Sequence, residues 1–280
     1  MTLCSLVGPK SKLPIIYPMV LRTWLSPKYG PYWRNVRKFC TRELLSTAKI
    51  DSFKVMRRDE LESLVQSLME AAKAHEVVDV SEKVAGLIED MTYRMLFGRN
   101  KDDRFDLKSI VHQFLSLMAV PNLADYVPFL GAFDLQESLR LHPVAPLLLP
   151  HESMEDIVIG EYYIPKKSRI IVNCWALGRD SEVWSKNVEE FLPEMFKESD
   201  IDLRGRDFQL IPFRSGRRGC PGMHLGLLNI RLVVAQLVHC FHWELPNGMS
   251  TAEMDMTEKF DLSSPRAKHL LAMPKYCLGI

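Results

Sequence analysis

The chain has 280 residues, of which 47% are hydrophobic and 25% are charged, a balance typical of folded globular proteins. Its 36 Lys and Arg residues nearly equal its 35 Asp and Glu residues, which argues against a nucleic-acid partner recognised through overall charge. The six cysteines are scattered and form no CxxC pair, so a zinc or iron–sulfur framework and a disulfide-rich secreted scaffold are both disfavoured. Apart from one cysteine discussed below, we expect them to be reduced thiols.

The N-terminal segment, residues 1–30, has no clear hydrophobic period and is left unassigned. Its apolar stretch at 13–25 is interrupted by Pro14, Pro18 and Arg22, and it is shorter than the roughly 20 residues that span a bilayer. It also has no small-residue cleavage site of the kind that ends a secretory signal. We therefore expect no membrane anchor in the chain.

Apolar residues at helical spacing dominate the first half of the sequence. They predict a basic helix at 33–45 and three amphipathic helices marked by Leu61–Met69, Val84–Leu96 and Ile110–Met118. After Pro121 the pattern changes to short strands, predicted at Ile157–Ile159, Tyr162–Ile164 and Arg169–Val172. An irregular stretch at 180–219 leads to a helix from about Gly222 to Cys240. The predicted fold class is mainly α with a minor β-sheet.

The most informative segment places Cys220 between glycines, directly before the last predicted helix. Glycines such as Gly216 and Gly222 let the backbone turn tightly and approach a flat ligand closely. A helix N-terminus stabilises a thiolate. Arg218, two residues before the sulfur, can reach an anionic group at the edge of such a ligand, and Phe213 would supply an aromatic wall. This pattern favours a thiolate that binds a flat, anionic cofactor.

The five residues just named meet the signature FxxGxRxCxG, and here the chain resembles the cytochrome P-450 family. The resemblance implies a partial cytochrome P-450 fold and a haem whose iron takes Cys220 as its thiolate ligand. A thiolate ligand donates electron density that favours cleavage of an O–O bond. Arg214 occupies a position where plant members usually carry glycine, so the loop has an extra positive charge.

A second similarity lies upstream, where Glu137 and Arg140 resemble the ExxR motif of the family. Three residues apart on a helix, the two side chains share a face and can pair. In the family an arginine from a PERF-like segment completes this cluster. The matching segment here is Pro193–Phe196, and Met195 stands in place of that arginine. We therefore expect the pair to lack a third partner and the haem-side core to be weakened.

The resemblance also implies residues that hold the haem propionates. Trp33 and Arg37 resemble the WxxxR motif and would share one helix face, although an ordinary amphipathic helix with a packed tryptophan would show the same spacing. His151 aligns with a further propionate contact. The basic residues of the first helix would form either a docking face for a reductase or a solvated surface: Arg34, Lys38 and Arg42.

The resemblance is interrupted between Gln136 and Glu137, where the long central helix and its acid–alcohol pair have no counterpart. For this reason no residue is assigned a catalytic role. We divide the haem domain into an N-terminal helical part, 31–136, and a C-terminal haem-binding part, 137–280.

By this resemblance the chain is expected to be a monomeric monooxygenase of the plant microsomal type, at the endoplasmic reticulum membrane. It would insert one oxygen atom from O2 into a small lipophilic substrate, with electrons from NADPH delivered by NADPH–cytochrome reductase. No nucleic acid is expected as a partner. The alternative is a non-catalytic truncated remnant that binds haem weakly or not at all.

Overall fold

A computed structural model of the chain describes residues 29–98, 132–184, 187–197, 199–259 and 264–278. The helix predicted at 110–118 and the apolar stretch at 13–25 lie outside these residues. Within them, helices account for most of the regular structure and the strands are short, which confirms the predicted fold class.

The chain divides into two units, one ending at Ile50 and the other beginning at Asp51. The described part of the first unit contains helix α1 (Pro31–Phe39), a π-helical turn (Cys40–Leu44) and the start of helix α2 (Thr47–Ser52). Pro31 suits the first position of α1 because its missing N–H would have no partner within the helix. The helix predicted at 33–45 is confirmed, with a π-helical second part. The predicted division at residues 30 and 136 stays a prediction.

The second unit contains the remaining helices and all the strands found among the described residues. Its helices are α3 (Lys54–Ala74), α4 (Val80–Phe97), α5 (Ala132–Leu141), α6 (Cys174–Leu177) and α7 (Met223–Cys240). Its strands are β1 (Val78–Asp79), β2 (His151–Glu152), β3 (Ile157–Ile159), β4 (Tyr162–Ile164), β5 (Arg169–Ile170), β6 (Phe241–Glu244) and β7 (Leu271–Tyr276).

The described strands of this unit form three small antiparallel sheets. One has the order β1–β7–β6, and β2–β5 and β3–β4 are two-stranded. The strands predicted on either side of Gly160 are confirmed as a hairpin, whereas the strand predicted at 169–172 ends at Ile170. The pairing of β2 with β5 places His151 opposite Ile170, which fixes the position of that histidine on a short ladder.

The core of the second unit consists of separate apolar clusters. The largest joins α3, α4 and the C-terminal half of α7 to the three-stranded sheet, with Leu68 and Met91 almost fully buried. A second cluster surrounds α5 and includes Leu139 and Phe196. Buried apolar area of this kind is the main stabilising contribution to such a fold, at about 25 cal/mol per Å². The second cluster fixes the helix that carries Glu137 and Arg140.

By length and hydropathy alone, α7 could cross a membrane, and it is the one such helix found in the described part of the chain. Core helices of other proteins satisfy the same two criteria.

Candidate functional site

The loop that carries Cys220 is held by short backbone hydrogen bonds. A 3-10 turn at Gly216–Arg218 closes with the Gly219 N–H donating to the Gly216 carbonyl at 3.0 Å. Cys220 then donates its own N–H to the Phe213 carbonyl at 2.8 Å, and Gly222 precedes the first residue of α7. Gly216 has φ = +62°, a conformation that glycine adopts without strain. The loop thus presents an exposed thiol three residues before a helix of 18 residues.

The surface beside this thiol is open. A side chain at Gly222 would stand 3.9 Å from the Cys220 sulfur, and one at Gly226 would meet no atom within 4 Å. Because the two glycines are four residues apart, they lie on the same side of the start of α7. The neighbouring residues of this helix, 225–230, are all only partly buried. A flat group such as haem could therefore approach both the sulfur and the helix backbone.

Positive charge lies close to His151. Burial lowers the pKa of His151 from its ordinary value of 6.5, and the charges of Arg214 and Arg218 lower it further. The family resemblance implies the same role for Arg218 and His151, and in the structure the charge of Arg218 acts on His151. Such a cluster suits a carboxylate group, since charge-assisted hydrogen bonds from arginine to carboxylates are among the strongest in proteins. The residues present thus fit both the iron ligand and the propionates of a haem.

Phe213 packs, partly buried, against the second apolar cluster. Leu227 and Ile230 of α7 pack against the same cluster. The aromatic ring therefore anchors the cysteine loop to the core, and its part as a wall for the ligand stays a prediction.

The Glu137–Arg140 pair is completely buried. Arg140 donates from Nε to Glu137 Oε2 at 2.5 Å and from Nη2 to Glu137 Oε1 at 2.7 Å, a two-point contact. Its other donors reach the carbonyls of Gly178, Val188 and Glu190 at 2.6, 2.8 and 3.0 Å. An arginine has five N–H donors, so every one is used.

This network corrects the expectation that the pair lacks a third partner. Three backbone carbonyls, together with the Leu192 N–H that donates to Glu137 at 2.7 Å, complete the hydrogen bonding. Met195 packs partly buried against the second apolar cluster instead. The expectation was wrong because it considered charged side chains alone, and backbone groups can satisfy a guanidinium as well.

Trp33 and Arg37 lie on α1 in the first unit. Trp33 is buried, and the Arg37 guanidinium lies 5.5 Å from the centre of its ring, within range of a cation–π contact. Tyr29 also packs against the indole, with ring centres 5.3 Å apart. The two side chains thus share a helix face as predicted, and their contact with a propionate stays a prediction.

The described cysteines other than Cys220 are free thiols, as predicted: Cys40, Cys174, Cys240 and Cys277. Burial raises the pKa of the Cys174 thiol to about 11, which makes it a poor ligand or nucleophile. Cys220 therefore combines exposure, loop position and neighbouring positive charge in a way that distinguishes it from Cys174.

Comparison with known proteins decides the family. The cytochrome P-450 family model matches residues 19–135 and, in a second segment, residues 126–271. The chain belongs to the cytochrome P-450 family. This membership bears out the resemblance carried by the cysteine signature, and it implies a haem group and a monooxygenase reaction that uses O2 and a redox partner.

Relatives of this P-450 are found in plants. Cytochrome P-450 CYP736A12 of Panax ginseng is 43% identical, with 89% of this chain and 76% of the relative aligned. Cytochrome P-450 71A1 of Persea americana is 27% identical, over 86% of this chain and 76% of its own length. Germacrene A hydroxylase of Barnadesia spinosa is 28% identical, over 89% and 75%.

The alignment with the ginseng relative is longer than the part of this chain that it covers. The ginseng alignment covers 380 positions, whereas 89% of 280 residues is about 249, so about 131 aligned positions have no residue in this chain. The two segments of the family match meet at 126–135, close to the predicted interruption between Gln136 and Glu137. In the structure both sides of that junction belong to α5, where Leu135 is buried and Gln136 donates to the Ile201 carbonyl at 2.6 Å.

Proposed function

We propose that this P-450 holds haem iron through the Cys220 thiolate and inserts one oxygen atom into a small lipophilic substrate. The observation that carries the proposal is the exposed thiol of Cys220 beside the open strip formed by Gly222 and Gly226. The thiolate-bound haem would supply activation of O2, which needs an electron-donating ligand. The chain's own residues would bind this group and orient it.

We assign the propionates to two sets of residues. Arg218 and His151 would bind one, because both belong to the positive region near the cysteine loop. Trp33 and Arg37 would bind from α1, with an indole N–H and a guanidinium as donors.

The remaining residues of the two motifs would support this arrangement. Gly216 and Gly222 would shape the cysteine loop, and Phe213 would fix it to the core. Glu137 and Arg140 are structural in this scheme, because their hydrogen bonds are directed to each other and to the backbone.

The partners are carried over from the family resemblance and are part of the proposal. Electrons would come from NADPH through NADPH–cytochrome reductase, which would dock on the basic residues of the first helical segment: Arg34, Lys38 and Arg42. The site of action would be the endoplasmic reticulum membrane, and the chain would act as a monomer. The hydroxylase among the relatives supports a lipophilic substrate of plant secondary metabolism.

A single substitution tests the iron ligand. Cys220→Ala should abolish the thiolate-type absorption of the reduced carbonyl complex, because no other sulfur stands in the signature loop. Cys277→Ala is the matched control, since it removes a partly exposed thiol elsewhere in the chain and should leave the spectrum unchanged. A thiolate-type spectrum that persists in Cys220→Ala, or disappears in Cys277→Ala, would overturn the assignment.

The second candidate function is a non-catalytic remnant that binds haem weakly or not at all. The gap of about 131 aligned positions favours it, because a segment of that size contributes much of the buried surface of a domain. A haem titration of the purified chain separates the two candidates. A one-to-one endpoint at micromolar concentration supports the haem protein, and the absence of saturable binding supports the remnant.

A further inference from the structure

Arg214 lies in the cysteine loop at a position where plant members of the family usually carry glycine. Its backbone has φ = +67°, in the left-handed region that arginine rarely occupies. A glycine at this position would adopt that conformation without strain. Strain of this kind persists when the surrounding structure compensates for it, and it often accompanies a functional role.

The side chain of Arg214 makes a specific contact across the site. Its guanidinium donates a hydrogen bond to the carbonyl of Leu149, two residues before His151. Its backbone N–H donates to the Ile211 carbonyl at 2.9 Å. The Arg214 carbonyl lies so close to Gly205 that a side chain at Gly205 would overlap it. The loop is therefore packed tightly around this strained residue.

We propose that Arg214 is a positioning residue for the carboxylate site assigned to His151 and Arg218: it ties the cysteine loop to the segment leading into β2, and it adds positive charge where those two residues would meet a haem propionate. This inference rests on the proposed function, because the carboxylates in question are those of the porphyrin. It goes beyond the family signature, which specifies no side chain at this position.

The electrostatics agree with this geometry. The charge of Arg214 lowers the pKa of His151 more than the charge of Arg218 does. Strands β2 and β5 also carry two charged residues, Glu152 and Arg169, which stand opposite each other at the position next to His151 and Ile170. Because side chains alternate along a strand, they lie on the face opposite His151.

The cysteine loop contributes three arginines in all, and they differ in exposure. Arg214 and Arg218 are partly buried, whereas Arg217 is exposed. Because Arg217 is exposed, solvent screens its charge more strongly than the charges of the other two. It therefore serves as a control for the effect of removing one positive charge from this loop.

The first test is a titration of His151 by NMR in the full chain without porphyrin, with the signal assigned through His151→Gln. In the wild-type protein His151 should titrate below 6.5. Arg214→Gln should move the pKa upward toward that value, and Arg214→Lys should move it less because the charge is kept. Arg217→Gln should leave it unchanged. An equal pKa in wild type and Arg214→Gln, or an equal rise in Arg217→Gln, would overturn the proposal.

The second test uses metal-free protoporphyrin IX and its dimethyl ester, with binding followed by porphyrin fluorescence. Arg214→Gln should weaken binding of the free acid by about tenfold, which corresponds to about 1.4 kcal/mol. The ester carries no carboxylate and should lose little. Equal losses for both ligands would mean that Arg214 acts on general structure alone, which contradicts the proposal.

Because metal-free porphyrin has no iron for Cys220 to bind, this result does not depend on the thiolate. Failure of the iron-ligand assignment would appear in the Cys220→Ala spectrum, and failure of the Arg214 proposal would appear in the free-acid arm. If Arg214→Gln does not fold, Arg214→Lys keeps both measurements available. This variant keeps the charge but loses the guanidinium contact with the Leu149 carbonyl, so it should bind the free acid more weakly than wild type. Wild-type affinity for the free acid in Arg214→Lys would refute the positioning role.

Discussion

Replacement of Arg140 should strongly destabilise the second unit. In Arg140→Met, a side chain of similar length removes two hydrogen bonds from the buried Glu137 carboxylate and leaves three carbonyls without this donor. Of the network described above, Glu137 would keep the hydrogen bond from the Leu192 N–H. Removing one partner of a buried ion pair costs about 3–5 kcal/mol, since the remaining charge stays desolvated.

That loss is large against the total stability of a domain, which is about 5–15 kcal/mol. Equilibrium urea unfolding, followed by far-UV circular dichroism, measures it as a fall in the free energy of unfolding. Arg140→Lys should give an intermediate loss, because an ammonium has only three donors for the contacts that the five guanidinium donors make. The geometry of a guanidinium fork is not reproduced by lysine.

Arg58→Met is the matched control on α3. Arg58 pairs with Glu62 at 3.5 Å, and both side chains are about two-thirds exposed. Exposed pairs of this spacing contribute about 0.3–0.5 kcal/mol, so the control should unfold almost like wild type. If Arg140→Met loses less than about 1 kcal/mol, or no more than Arg58→Met, the buried network does not have the role derived from its hydrogen bonds.

Two further predictions concern Met195 and the thiols. Met195→Arg should not raise stability in urea, because Glu137 already accepts two hydrogen bonds from Arg140 and one from the Leu192 N–H, and the methionine packs against the second apolar cluster. A clear gain would show that the Glu137–Arg140 pair does need a third charge. In the chain without haem, iodoacetamide at about pH 8 should modify the exposed Cys220 well before Cys174, whose thiol is buried with a pKa of about 11; equal rates by mass spectrometry would contradict this order.

The sequence predicts the local elements of this P-450 well where a single pattern decides them. The hairpin of β3 and β4 is delimited by Gly160, and α7 follows from apolar spacing after the cysteine loop. The sheet formed by β1, β6 and β7 was not predicted. Its two-residue strand β1 has too few residues to show alternation, and its pairing with β7 joins Asp79 to Leu271 across most of the chain. Non-local pairing leaves no local signal.

The site divides in the same way. Cys220 and the Glu137–Arg140 spacing are visible in the sequence because side-chain identity carries the chemistry. The backbone carbonyls that Arg140 binds are not visible, since every residue has a carbonyl and only the fold selects these three. The contact from Arg214 to Leu149 is a similar case. The unusual arginine was a signal that could be noticed, but its partner could not be named.

The internal gap leads to the last prediction, which concerns turnover. Productive use of O2 requires directed proton delivery, and a positioned acid or base typically contributes about 10²–10⁴-fold to a rate. The acid–alcohol pair of the family would fall within the aligned positions that have no residue here. The purified chain, supplied with haem, reductase and NADPH, should therefore form product at least about 10²-fold more slowly than a chimera that carries the middle segment of the ginseng relative. The same chimera with Cys220→Ala should be inactive, which ties any recovered rate to the thiolate. Product formed by the unmodified chain in proportion to NADPH consumed, at the rate of the chimera, would show that another part of the chain delivers the proton.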